Sequence, residues 1–157
     1  MNGAQILELW RRCAASPDPP AAFTRELFAA VPYSGSTGAR VEELSPGQVR
    51  VTLEQHREVE NHLNSIHAVA LTNVGELASG LALITALPEG MRSIVIELST
   101  RYLKKARGTL TAECRAPAVE AGEEAELEVE APIRDSQGEV VALVTARWKV
   151  GPLPKGT

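Results

Sequence analysis

The run 61-NHLNSIHAVALTNVGELASGLALIT-85 decides how the rest of the chain is read. It has helical periodicity and no proline. At 100° per residue, Ile66, Val69, Ala70, Asn73, Val74, Leu77, Leu81 and Ile84 share one face and form an apolar stripe. On the opposite side Ala68, Gly75 and Ala82 recur every seventh residue, with Ser79 beside them, so another backbone can approach closely there. Glu76 lies between the two faces, flanked in space by Thr72, Asn73, Ser79 and Leu83. A helix with a single acid among small and apolar neighbours is either a buried central helix or a site. Asn64 or Ser65 is the expected cap of its first turn, and Pro88-Glu89-Gly90 its end.

Outward from this helix the period changes to two. Arg40–Leu44 and Val49–His56 read as strands joined at Ser45-Pro46-Gly47. After the helix, strands are expected over Met91–Lys104, Thr109–Arg115, Glu124–Arg134 and Val140–Val150. Ile94, Ile96 and Leu98 share one face of the first of these. Glu124, Glu126, Glu128 and Glu130 form an acidic row on the third, read as the solvated face of an antiparallel sheet that also guards against edge pairing. The last seven residues, GPLPKGT, read as a frayed tail. Two strands, one nearly uncharged helix and four strands make an α+β pattern, a curved antiparallel sheet of about six strands around one long helix. The small residues then fall where sheet and helix meet.

Residues 1–37 form an N-terminal helical extension, and 38–157 the main domain. A short amphipathic helix is expected over 3–15 and a second over 20–30, with Pro19 or Pro20 in its first turn. The Gly/Ser-rich loop from Pro32 to Gly38 follows. This preface is too short to bury a core of its own. It either covers one end of a pocket or pads a dimer.

The composition of the 157 residues, 44% hydrophobic and 23% charged, suits one domain with a sizeable core. A net charge of -4 argues against general nucleic-acid binding. No membrane span is expected, because Asn73, Gly75, Glu76 and Ser79 interrupt the apolar run, and the N-terminus lacks a signal-peptide pattern. Cys13 and Cys114 lack metal-ligand spacing and read as reduced thiols of a cytoplasmic protein. His56, His62 and His67 have no carboxylate or cysteine at ligand spacing, so no metal is expected.

With Asn61, His67 and Glu76 in a strand–helix–strand context, the chain resembles the hotdog-fold thioesterases. Within them it is similar to the branch related to phenylacetyl-CoA and 4-hydroxybenzoyl-CoA thioesterases. The resemblance covers residues 38–150 as topology and Asn61 to Glu76 as motif. The family pattern is a side-chain amide, a His-Gly-Gly six residues on, and an acid nine after the His; here His-Gly-Gly has become His67-Ala68-Val69. The resemblance implies hydrolysis of an acyl-CoA thioester with no required cofactor, coenzyme A entering as part of the substrate. Glu76 would be nucleophile or base, Asn61 the positioning group, and the Ala68 N–H the oxyanion donor, since a first helical turn leaves such groups unpaired. His67 would fix the loop by hydrogen bonds. It also implies a homodimer whose sheets run together, or a tetramer assembled from such dimers, with acid and oxyanion donor from opposite chains.

The basic run 101–108 offers Arg101, Lys104, Lys105 and Arg107 to the coenzyme A phosphates, or is a solvated turn balancing the acidic row. Two each of Phe, Tyr and Trp leave an aliphatic pocket. The competing readings are a non-catalytic hotdog module that binds acyl-CoA or an acyl chain, a hydratase or dehydratase acting on acyl thioesters, and a structural dimer without a ligand.

Overall fold

The computed structural model describes residues 1–154. Two helices come first, α1 (Gly3–Cys13) and α2 (Pro19–Ala30). Both starts are local chemistry. Asn2 and Gln5 form a reciprocal capping box on α1, and Asp18 accepts from the Ala21 N–H ahead of the two prolines that open α2. A 3₁₀ turn, Ser34–Thr37, leads into β1 (Arg40–Ser45) and β2 (Gln48–Glu54). The central helix α3 (Ala68–Ala86) follows, then β3 (Met91–Tyr102), β4 (Thr109–Arg115), β5 (Ala125–Arg134) and β6 (Val140–Pro152).

The strands form one antiparallel sheet in the order β1-β2-β4-β5-β6-β3. It wraps α3, and this is the hotdog fold. The small-residue face of α3 is what permits the wrapping. A Cβ added at Gly75 would lie 2.3 Å from Val144 Cβ on β6, and Ser79 and Ala82 have no exposed surface. One continuous core holds Leu53, Val74, Leu83, Leu110, Ile133 and Val144 together with Ile6, Leu9, Phe23 and Leu27 from α1 and α2. The helical preface therefore shares the core of the sheet. Trp10 and Phe23 meet edge to face there, ring centroids 5.0 Å apart.

Five expectations are corrected. The cap of α3 is His67, whose Nδ1 accepts from the Val69 N–H at 3.1 Å. Asn64 instead sits in a turn at φ 52°, and the Ser65 hydroxyl is spent on Asn61. Val69, placed on the buried stripe by periodicity, is 58% exposed, because α3 is covered on most sides and open along Val69, Thr72, Glu76, Gly80 and Ile84 and at its end residues Ala68 and Ala86. At 19 residues α3 is, by length and composition, apolar enough to cross a membrane; most of it is buried in the sheet instead. The acidic row is exposed, but β5 lies between β4 and β6 and is no outer edge, although its 125–132 stretch pairs with β6 alone. The edges are β1 and β3. Finally, Gly151 and Pro152 pair with Arg92 and Met91 and belong to β6 rather than to a tail; residues 155–157 lie outside the described residues.

The edges differ in dress. The β1 edge meets α2, where Thr24 Oγ1 accepts from the Val41 N–H, and carries the ion pairs of Arg40 with Asp18 and Glu42. The β3 edge shows Ile94, Ile96 and Leu98 to solvent, 64%, 43% and 42% exposed. A bulge at Ile96 breaks its register with β6.

Candidate functional site

Glu76 is half-buried on the open stripe of α3. It lines a cleft of about 430 Å³ together with Thr72, Val69, Val95, Leu98 and Tyr33. Burial pushes its carboxyl pKa up, and no basic group opposes the shift. A Cβ added at Gly80, one turn further on, would lie 3.2 Å from Trp148 Cη2 and 3.9 Å from Glu76 Oε1, so the indole crowds the space Gly80 leaves empty and the acid borders it. Trp148 Nε1 is itself buried and without a hydrogen-bond partner among the described residues. A carboxylate in such a setting holds its proton more readily than one in water. Once ionised, it is a stronger base toward a bound water than a solvated carboxylate.

Hydroxyl groups tie the start of α3 to β3. Thr72 Oγ1 lies 2.8 Å from Thr100 Oγ1 and 3.1 Å from the Tyr102 hydroxyl, which donates to the Ala68 carbonyl at 3.1 Å. Thr100 and Tyr102 alternate along one face of β3. That period-two signal, set against Thr72 one helical turn before Glu76, is present in the sequence but escaped the reading of it. Tyr33 escaped it as well: an aromatic residue beside a Gly/Ser-rich turn, 72% exposed, lining both the Glu76 cleft and a smaller neighbouring one with His67, Glu58 and Thr37.

The other expected site residues lie as follows. His67 is exposed, its Nδ1 committed to capping α3 and its N–H donated to the Val59 carbonyl. The Ala68 N–H, at the first position of α3, has no hydrogen-bond partner among the described residues, while that of Val69 is taken by His67. Asn61 lines neither cleft. Its Oδ1 accepts from the Leu63 N–H at 2.8 Å and the Ser65 hydroxyl at 3.1 Å, closing the 61–65 turn on itself. In the basic run, Lys104 pairs with Asp135 at 2.8 Å and with Glu139. Arg107 donates to the Asn64 and Leu63 carbonyls. Arg101 and Lys105 are exposed and form no ion pair among the described residues.

A single copy of the chain does not gather these groups. Ala68 and Glu76 are eight residues apart on one helix, about 12 Å along its axis. Both cannot serve one carbonyl group. No cluster of three His, Cys, Asp or Glu converges among the described residues. Both cysteines are free and buried, and burial pushes the Cys114 thiol up to about 12.

The family described as "Domain of unknown function (DUF4442)" matches residues 20–150. A Pseudomonas aeruginosa protein, described as of unknown function and a probable thioesterase, shares 32% identity and superposes with a TM-score of 0.76 over 85% of this chain and 97% of its own. A Silicibacter pomeroyi thioesterase family protein shares 22% identity with a TM-score of 0.69, over 83% and 96% of the two chains; at that identity the likeness is one of fold. The "Putative esterase VNG_1336C" of Halobacterium salinarum (strain ATCC 700922 / JCM 11081 / NRC-1) is 33% identical over 81 residues, 48% of this chain. The match spans about half of that relative's length, 54%.

Proposed function

Because this chain belongs to the family described as "Domain of unknown function (DUF4442)" and carries the hotdog fold, we propose that it hydrolyses an acyl-CoA thioester at a site shared by two copies of the chain. The observation that carries the reading is Glu76: half-buried, unopposed by any cation, its carboxyl pushed toward the neutral form, in a cleft walled by Val69, Val95 and Leu98. The names of the Pseudomonas and Halobacterium relatives support the same class of reaction.

In this reading Glu76 takes a proton from a water that attacks the thioester carbonyl, or attacks it directly. The carbonyl becomes a tetrahedral oxyanion, the C–S bond breaks, and coenzyme A leaves as a thiolate that takes its proton from Glu76 in the first route and from solvent in the second. In the second route water then opens the acyl–Glu76 anhydride and releases the free acid. The unpartnered Ala68 N–H of the second copy receives the oxyanion. Asn61 spends its carbonyl oxygen on its own turn but leaves its amide NH₂ without a partner among the described residues, available to a substrate carbonyl. Arg101 and Lys105 meet the phosphates, since Lys104 and Arg107 are committed elsewhere. The bare apolar edge of β3 joins the two sheets, and Val95 and Leu98 on that strand bring the junction to the cleft. The distance between Ala68 and Glu76 on one helix favours a shared site.

The reading is tested by thiol release across short, long and aromatic acyl-CoAs. Turnover is expected for the wild type, with a loss of at least about a hundredfold in Glu76→Gln and the assembly intact by light scattering. Unchanged turnover in that variant would sink the assignment. The second reading, an acyl-CoA-binding module, is favoured by one observation: the Val69 side chain stands in the cleft where the family pattern has glycine. Tight binding of coenzyme A without turnover would select it. A hydratase is disfavoured, because His67 spends Nδ1 on capping α3 and does not line the Glu76 cleft.

A further inference from the structure

The helical preface ends in a wall beside the acid. Tyr33 precedes the 3₁₀ turn Ser34–Thr37, and the segment is held at both ends. Gly35 lies so close to Phe28 of α2 that an added Cβ would come within 2.8 Å of the Phe28 ring. At the other end the Thr37 hydroxyl donates to Asn73 Oδ1 of α3 at 3.3 Å, and the Thr37 carbonyl accepts from His56 Nε2 at 3.0 Å. Between these ties the Ser36 N–H donates to the Tyr33 carbonyl and the Gly38 N–H to that of Gly35. The backbone is thus fixed while the Tyr33 ring is 72% exposed. Folding gains little from such a ring. A large aromatic held open on a fixed backbone offers contact area to a ligand at low cost in side-chain freedom.

The surroundings give the ligand a direction. Around Tyr33 the cleft presents Val69, Val95 and Leu98 and no lysine or arginine. Exposed cations lie outside the cleft toward both ends of β3: Arg101 is three residues past Leu98, about 10 Å on, with Lys105 beyond it, and Arg92 is three residues before Val95. A ligand with an anionic and an apolar end therefore places its chain in the cleft against Tyr33 and its phosphates outside it, at cations such as Arg101 and Lys105.

Resting on the proposed acyl-CoA reading, we infer that Tyr33 is a specificity-determining residue: its ring is the wall against which the aliphatic acyl chain packs, so the N-terminal extension belongs to the substrate site. Acyl chains long enough to pass Val69 gain contact with the ring, and an acetyl group does not.

The test uses the full chain and the non-hydrolysable thioethers S-ethyl-, S-hexyl- and S-decyl-coenzyme A, titrated calorimetrically into wild type, Tyr33→Ala and Tyr33→Phe. In Tyr33→Ala, S-hexyl and S-decyl affinity is expected to fall about tenfold while S-ethyl stays within about twofold. Tyr33→Phe, which keeps the ring, is expected to match wild type within about twofold throughout. A uniform loss across the three probes, or none, overturns the inference while leaving the acyl-CoA reading standing. If the wild type binds none of the thioethers, that reading fails and the inference with it.

Discussion

The two sides of α3 share a sequence and have opposite uses. On the covered side Gly75, Ser79 and Ala82 let the sheet close on the helix, with Val144 where a side chain of residue 75 would stand. On the open side Val69, Thr72, Glu76 and Gly80 follow one another at helical spacing beside β3. Hydrophobicity does not separate them: the valine at 69 is exposed and the serine at 79 is fully buried. What separates them is contact. Small residues stand where the sheet comes closest, and the stripe from Val69 to Gly80 is left free of it. Stability is concentrated on the first side and the candidate chemistry on the second.

The contrast can be broken at four points. Gly75→Ala should cost about 1–3 kcal/mol by forcing a methyl into Val144. In a double-mutant cycle read by urea melts, Val144→Ala should recover part of that loss; full additivity would deny the contact. Glu76→Gln should act in the opposite direction. Burial raises the folded carboxyl above its unfolded value of about 4.3. Below that pH both states are protonated and the acid carries no penalty. As pH rises through the folded value, native Glu76 is charged in a poor solvent and stability is lost. The variant should therefore be more stable at pH 7, on the order of 1 kcal/mol, with the difference gone by about pH 4 in thermal melts.

A smaller effect comes from the tie that holds the Tyr33 segment. His56 places Nε2 on the Thr37 carbonyl and Nδ1 on Glu58 Oε2 at 2.6 Å; two acceptors favour the doubly protonated ring and raise its pKa. Glu60 adds to the shift through its charge. Glu58 is correspondingly lowered, with His56 as the main cause. The histidine's contribution is complete below about pH 6.5 and disappears as pH rises through the raised value. That of Glu58 is complete above about pH 4.3 and is lost as pH falls through its depressed value. His56→Gln should lower the melting temperature by about 1–3 °C near pH 5.5 and leave it unchanged near pH 9. The smallest effect is on the open stripe itself: Val69→Thr, at an exposed position, should stay within about 0.5 kcal/mol of wild type.

Much of this architecture can be read from residue order. Ser45-Pro46-Gly47, the alternation of Val49, Val51 and Leu53, and the long proline-free run place β1, β2 and α3 within a residue or two, apart from the helix start. That start fails for a physical reason. Asn64 and Ser65 are the better capping residues by type, but Asn61 recruits Ser65 into its own turn, and the cap falls to a histidine. The basic run reads as free charge until folding brings Asp135 and Glu139, more than thirty residues away, onto Lys104. Glu76 stands out in the sequence because it is alone. Tyr33 does not, since its exposure beside the acid depends on Phe28, Asn73 and His56 converging on one short turn.

The ladder between β4 and β5 consists of two residue pairs, Thr111 with Arg134 and Ala112 with Ile133. Mechanically the six strands are thus two three-stranded ribbons, β1-β2-β4 and β5-β6-β3, fastened at one end and otherwise bridged by the helix they enclose and by the Cys114 thiol, which donates to the Glu130 carbonyl at 3.3 Å. Such a sheet opens like a book along its spine. Its amides at the middle of β5 facing β4 are sealed by packing rather than by a ladder, so local opening there comes at lower free energy than along the long β3–β6 and β5–β6 ladders. The ribbon on one side of that spine carries the bare edge and half the wall of the Glu76 cleft.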